Sequence, residues 1–122
     1  MESSKETAHI VKKHLARFFK QDYKGLMELY AEETVVVGYG KMYRGYKEIQ
    51  ALMESAGKEW FEGESPYVFD ITFETFNGRH GYIEIKGQNH MNEILFGNSS
   101  YYVVNGKIMY EAAGRYVVPV NK

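Results

Sequence analysis

The chain is predicted to fold as an α+β protein, with helices first and an antiparallel meander after them. Three observations predict this. Apolar residues in the first sixty positions recur at helical spacing. From Tyr67 onward they recur at every second residue. Two Asn-Gly pairs, at 77–78 and 105–106, mark tight turns between the alternating runs. Strands joined in sequence by hairpins make an antiparallel sheet rather than βαβ units.

The first helix carries Ile10, Val11, His14, Leu15, Phe18 and Phe19 on one stripe, with Lys12, Lys13, Arg17 and Lys20 elsewhere. Ser3 with Glu6 three residues on offers a capping box. Gln21-Asp22 breaks the pattern, and Asp22 suits the N-cap of a short second helix carrying Leu26, Leu29 and Tyr30, ended by Glu32-Glu33. Residues 34–38, TVVVG, read as a buried strand. Residues 38–45, GYGKMYRG, read as a loop. Ile49, Leu52, Met53, Ala56 and Trp60 form the stripe of a third helix, and Glu62–Pro66 is a break.

The alternating runs then follow in order. Residues 67–76 place Tyr67, Phe69, Ile71 and Phe73 on one face. Residues 80–89 and 93–104 are the next two strands, the latter irregular near Gly97-Asn98, and 107–118 is the last. The second face of this sheet is also aromatic, which suggests a homodimer through the outer sheet face.

Composition bounds the function. A chain of 122 residues makes one domain, spanning 1–122, able to bury a core without staples. A net charge of −1 gives no reason to expect nucleic acid or an anionic membrane as partner. No apolar run approaches the ~20 residues that span a bilayer, and the N-terminus lacks a signal-peptide apolar region. The absence of cysteine excludes disulfides, thiolate metal sites and a cysteine nucleophile, and fits a cytoplasmic location. His80 and His90 lie roughly 30 Å apart along one strand, so they cannot share an ion, and no metal site is expected.

Several short motifs occur in a telling order. They are Gln21-Asp22 after the long first helix, Leu26…Leu29-Tyr30-Ala31-Glu32-Glu33-Thr34-Val35, Gly45…Glu48-Ile49 before the third helix, and Asn105-Gly106-Lys107-Ile108 at the last hairpin. In that order they resemble the nuclear-transport-factor-2-like superfamily, which includes SnoaL-like cyclases and ketosteroid isomerases. The resemblance covers nearly the whole chain. It implies a cystatin-like, cone-shaped α+β barrel, with a curved sheet around the long helix and a ligand cavity between them.

Function does not transfer as readily. His14 stands where ketosteroid isomerases carry a tyrosine, Tyr30 matches a second tyrosine, and Met53 replaces a third. The base aspartate of those enzymes falls at Val37 or Gly38, and their second acid falls near Asn98 or Ser99. Without the base, that mechanism is rejected. The Asp–Arg–Asp group of limonene-epoxide-hydrolase-like enzymes is not matched by Asp22 and Asp70, the two aspartates present.

The polar candidates are His14, within an apolar stripe, and Glu111 and Arg115, on one face of the last strand. Their Cβ atoms lie roughly 13 Å apart, so they form either part of a lined pocket or ordinary ion pairs. Hydrophobic periodicity puts Ile108, Tyr110 and Tyr116 inside. The superfamily register instead puts Met109, Glu111, Ala113 and Arg115 toward the cavity, and that register is adopted. A two-residue turn then sets Tyr102 opposite Met109, Ser100 opposite Glu111 and Asn98 opposite Ala113. His14, Glu111 and Arg115 become the candidate catalytic groups. Phe18, Tyr30, Met53, Trp60, Asn98, Ser100, Tyr102 and Met109 become candidate ligand contacts. The expected partner is a small, partly apolar molecule. Any reaction would be isomerase, lyase or hydratase-type proton transfer without a cofactor. The alternative is a non-catalytic ligand-binding or dimerisation module.

Overall fold

A computed structural model describes residues 3–61 and 67–120. The elements run α1 (Ser4–Phe19), α2 (Tyr23–Met27), β1 (Tyr30–Gly38), β2 (Lys41–Arg44), α3 (Gly45–Phe61), β3 (Val68–Asn77), β4 (His80–Gln88), β5 (Asn92–Val104) and β6 (Lys107–Pro119). The six strands form one curved, unclosed sheet in the order β2-β1-β6-β5-β4-β3. This is the predicted α+β architecture with one difference. β1 lies parallel to β6, so the sheet is mixed rather than wholly antiparallel. Of the three helices, α3 alone carries the chain from the β1–β2 hairpin to β3, so the meander begins on the far edge and returns to β1 only with the last strand.

α1 starts where its local chemistry says it should. Ser3 Oγ accepts from the Glu6 amide at 3.1 Å, and the Glu6 carboxylate accepts from the Ser3 amide at 2.9 Å. The buried Thr7 hydroxyl donates to the Gly78 carbonyl, and the Gly78 amide donates to Ser4 Oγ at 2.9 Å. These bonds pin the helix N-terminus to the β3–β4 turn. Asp22 caps α2 through the Gly25 amide at 3.0 Å. A Cβ at Gly57 would meet the Tyr23 hydroxyl, so glycine at that helical position is what lets α2 lie against α3.

The core gathers Ile10, Val11, Leu26, Leu29, Tyr30, Val36, Ile49, Met53, Ile83, Val103 and Ile108. Each fully buried aliphatic side chain among them contributes roughly 1.5–3 kcal/mol by leaving water. At the other end, Phe18, Phe19, Phe61, Tyr67 and Phe69 pack ring against ring at tilted to edge-on angles, with centroids from 4.6 to 6.3 Å apart. That cluster packs the α1 and α3 C-termini against β3.

Three expectations are corrected. The second helix stops at Met27, and Tyr30 opens β1 instead of closing α2. Tertiary pairing decides it: Tyr30 is level with Ile108 of β6, and the Ile108 amide donates to the Leu29 carbonyl at 2.7 Å. Residues 38–45 are not a loop but a hairpin, with β2 paired to β1 from Val35–Arg44 to Gly38–Lys41. The third correction concerns β6. Val104 pairs with Lys107 and Val103 with Ile108, but Tyr102 then pairs with Tyr110, not Met109. Met109 is an extra residue, a β-bulge. Beyond it Tyr101 faces Glu111, Ser100 faces Ala112 and Ser99 faces Ala113. The expected break at Glu62–Pro66 lies outside the described residues.

Candidate functional site

The bulge resolves the conflict between the two sequence registers. Ile108 points into the core, as hydrophobic periodicity asks. One residue is then absorbed at Met109, and Glu111, Ala113 and Arg115 line the interior, as the superfamily register asks. An acidic side chain thereby enters the protein three residues after the core residue Ile108 on the same strand.

Glu111 meets two other polar groups there. Its Oε1 accepts from the Tyr30 hydroxyl at 2.7 Å, and Tyr30 Oη lies 2.7 Å from His14 Nε2. His14 Nε2 is 3.7 Å from the same carboxyl oxygen. His14 and Glu111 are each 4% exposed, and Tyr30 is fully buried. Three elements supply the chain: α1 places the imidazole, the first residue of β1 the phenol, and β6 the carboxyl. The His14 ring also stands edge-on to Tyr101, with centroids 5.5 Å apart.

Proton counting fixes the arrangement. Tyr30 has one hydroxyl proton. While it goes to Glu111, the phenol oxygen must accept from His14, so the imidazole carries its proton on Nε2. His14 Nδ1 is then a buried acceptor with no hydrogen-bond partner. Reversing every bond gives the second state, in which a protonated Glu111 donates to Tyr30 and Tyr30 donates to His14.

Burial sets the charges. It lowers the His14 pKa to about 4, so the ring is neutral at physiological pH. It raises the Glu111 pKa to about 7, against the pull of the Tyr30 hydrogen bond. It also holds the Tyr30 and Tyr101 phenols well above their ordinary range, helped by the nearby Glu111 carboxyl. Between the two values both His14 and Glu111 are uncharged, so the 3.7 Å approach is not an ion pair there.

These groups open onto a cavity of about 340 Å³. His14, Tyr101 and Glu111 supply polar groups to its lining, together with Asp70, Asn98 and Ser99. Its walls are Leu15, Phe18 and Phe19 of α1, Leu52, Met53, Ala56 and Trp60 of α3, and Phe69, Ile83, Ile85 and Ile94 of the sheet. Trp60 Nε1 is buried against this wall with no hydrogen-bond partner. Tyr39 and Arg115 line the cavity together. The Arg115 guanidinium donates to Glu59 at 2.8 Å and lies 5.1 Å from the Tyr39 ring and 5.2 Å from the Trp60 ring.

Of the candidate groups named from sequence, His14, Phe18, Met53, Trp60, Asn98, Glu111 and Arg115 line the cavity, and Tyr30 stands behind it, bonded to two of them. Arg115 reaches Glu59 and the two aromatic rings rather than Glu111. Asn98 lines the cavity, yet its side-chain amide donates to Tyr82 Oη at 3.5 Å. Ser100, Tyr102 and Met109 do not line it. The one-residue shift at Met109 turns Ser100 and Tyr102 to the other face, where the Tyr102 ring stands 5.0 Å from His80. Tyr101 and Tyr39 were missed. Tyr101 needed the bulge to be known. Tyr39 carried a weak signal, since it precedes a glycine directly after a strand. Among the described residues, no three His, Cys, Asp or Glu side chains converge as metal ligands, and no helix is long and apolar enough to cross a membrane.

No protein-family model matches the chain, and no curated protein matches it. Solved structures do match. An NTF2-like protein of unknown function from Mesorhizobium loti superposes with a TM-score of 0.76 at 21% identity, over 93% of each chain. An LEH-like epoxide hydrolase from M. tuberculosis gives 0.71 at 14% identity, over 93% of this chain and 84% of that one. A de novo designed protein with a curved β-sheet gives 0.78 at 11% identity, over 93% and 88%. A scaffold shared with an enzyme and with a designed protein selects no reaction by itself, so the chemistry must come from the residues in the cavity.

Proposed function

The chain has the nuclear-transport-factor-2-like fold, and on that scaffold we propose a small-molecule site that moves a proton without a cofactor, in an isomerase, lyase or hydratase-type reaction. Glu111 is the acid–base group. A carboxyl with a pKa of about 7 is present in both forms near neutral pH, the condition under which general acid–base catalysis works best. Tyr30 holds the carboxyl and His14 holds Tyr30, by hydrogen bonds that can reverse direction as Glu111 gains or loses its proton. The observation that carries the proposal is this buried chain of three groups, two of which, His14 and Glu111, line a mostly apolar cavity.

The cavity chemistry also selects a substrate class. Its walls favour apolar rings or chains, and its volume is near the small end of ligand sites. Arg115, the cation among the lining residues, is already matched by Glu59, and an anion beside Glu111 would meet an acid. A neutral molecule with one carbonyl or hydroxyl oxygen fits best. In such a substrate the Glu111 carboxylate takes a proton from the carbon next to the carbonyl. The resulting enolate is then reprotonated by the same carboxyl. This arrangement differs from that of ketosteroid isomerases, because Val37 and Gly38 stand at their base position.

Proton exchange tests the reading. In D₂O near neutral pH, with 2-cyclohexen-1-one as probe, the protein should speed loss of the proton signal next to the carbonyl, and Glu111→Gln should lose at least ~10²-fold of that rate. Binding without exchange would favour the non-catalytic ligand-binding module instead. The exposed outer-face aromatics Phe73, Phe96, Tyr110 and Tyr116 support a second part of the proposal, pairing of two copies through that face.

A further inference from the structure

The chain makes the same tight turn twice, with different residues. Asn105 and Gly106 join β5 to β6 with φ of 51° and 75°. Tyr39 and Gly40 join β1 to β2 with φ of 56° and 76°. Positive φ at both central positions is the signature of a type I′ hairpin, for which Asn-Gly is a favoured pair. The first turn follows the preference. The second places a bulky tyrosine in the left-handed region, where its Cβ is crowded and asparagine is better tolerated. Turn geometry alone therefore argues against tyrosine at position 39.

What the ring does there is specific. It lines the cavity while remaining 51% exposed, so it stands where the cavity meets solvent. It lies against Arg115, whose guanidinium also contacts Trp60 and Glu59. The β1–β2 hairpin thus presents an aromatic face at the mouth, and a rigid two-residue turn sets its direction.

We propose that Tyr39 is a specificity-determining residue, the aromatic flap against which a ligand's apolar body lies as its oxygen reaches Glu111. This rests on the reading above only in requiring that a small molecule enter the cavity. It makes the backbone strain at Tyr39 a cost kept for recognition.

The test separates recognition from folding. 2-Naphthol, neutral and planar with one hydroxyl, is titrated by fluorescence against the parent, Tyr39→Asn and Tyr39→Phe, and the thermal midpoint of each is recorded. Tyr39→Asn should raise the midpoint by a few degrees, because asparagine suits the turn, and weaken 2-naphthol binding about five- to tenfold. Tyr39→Phe should keep the affinity within about twofold. Unchanged affinity in Tyr39→Asn would overturn the proposal while leaving the cavity reading intact. So would a lowered midpoint, since the ring would then be holding the hairpin rather than a ligand. A parent protein that binds neither 2-naphthol nor 2-cyclohexen-1-one would remove the cavity reading and the flap together.

Discussion

Replacing Glu111 with glutamine removes a charge that burial disfavours and keeps an oxygen to accept from Tyr30. The magnitude follows from the pKa values. Glu111 rises from 4.5 to about 7 on folding. Between those values the folded protein holds one proton more than the unfolded chain, so stability falls as pH rises. About 2.5 units at ~1.4 kcal/mol each is about 3 kcal/mol, fully lost above pH 7. His14 works the other way. It falls from 6.5 to about 4, so the unfolded chain holds the extra proton and stability rises with pH across that window, by a similar amount. From pH 4.5 to 6.5 the two effects cancel, and the parent should show a plateau there. Glu111→Gln leaves only the histidine effect. Its stability should climb by about 3 kcal/mol between pH 4 and 6.5 and then stay level. At pH 8 it should exceed the parent by about 3 kcal/mol, on the order of 10 °C in thermal midpoint. Urea unfolding of both proteins at half-unit steps from pH 4 to 8.5 measures this, and the difference curve cancels every group they share. A variant no more stable than the parent at pH 8 would refute a carboxyl strained by burial, and the proton-transfer site with it.

Other perturbations reach other parts of the structure. Tyr30→Phe removes the donor that restrains Glu111, so carboxyl-carbon NMR should find the Glu111 pKa above its parent value, with a loss of ~1–3 kcal/mol from the broken buried bonds. In an ordinary helix Gly57→Ala would stabilise by up to ~1 kcal/mol. Here the added Cβ meets the Tyr23 hydroxyl, so thermal melts should show a loss of ~1–3 kcal/mol, partly restored by Tyr23→Phe. If the outer sheet face joins two copies, sedimentation should give twice the chain mass for the parent. Tyr110→Lys combined with Tyr116→Lys should then give the single-chain mass with little change in melting.

The helices and hairpins were legible because their signals are local. Ser3 and Glu6 cap α1 through bonds three residues apart, and Asn105-Gly106 makes its own turn; at the first hairpin the turn slips one residue on, to Gly78-Arg79, with Asn77 paired to His80. Tyr30 was misread because its spacing from Leu26 is helical, while the partner that makes it a strand residue, Ile108, is 78 positions away. β2 was misread because tyrosine hides a turn that asparagine would have announced. Within the candidate site, His14 and Glu111 stood out as polar residues facing apolar neighbours. The register opposite Glu111 did not, because alternation carries no mark of where a strand absorbs an extra residue. Ser100 and Tyr102 were lost to the cavity, and Tyr101 was gained, for that reason alone.

That single inserted residue at Met109 divides the last strand into two parts with different surroundings. Upstream, Ile108 faces the hydrophobic interior; downstream, Glu111, Ala113 and Arg115 face the chamber. Positions 113 and 115 could therefore change what the chamber holds without touching the core beneath the helices, whereas position 111 is tied to that core through Tyr30. A one-codon insertion or deletion after residue 110 would do the opposite, exchanging chamber and exterior at a stroke.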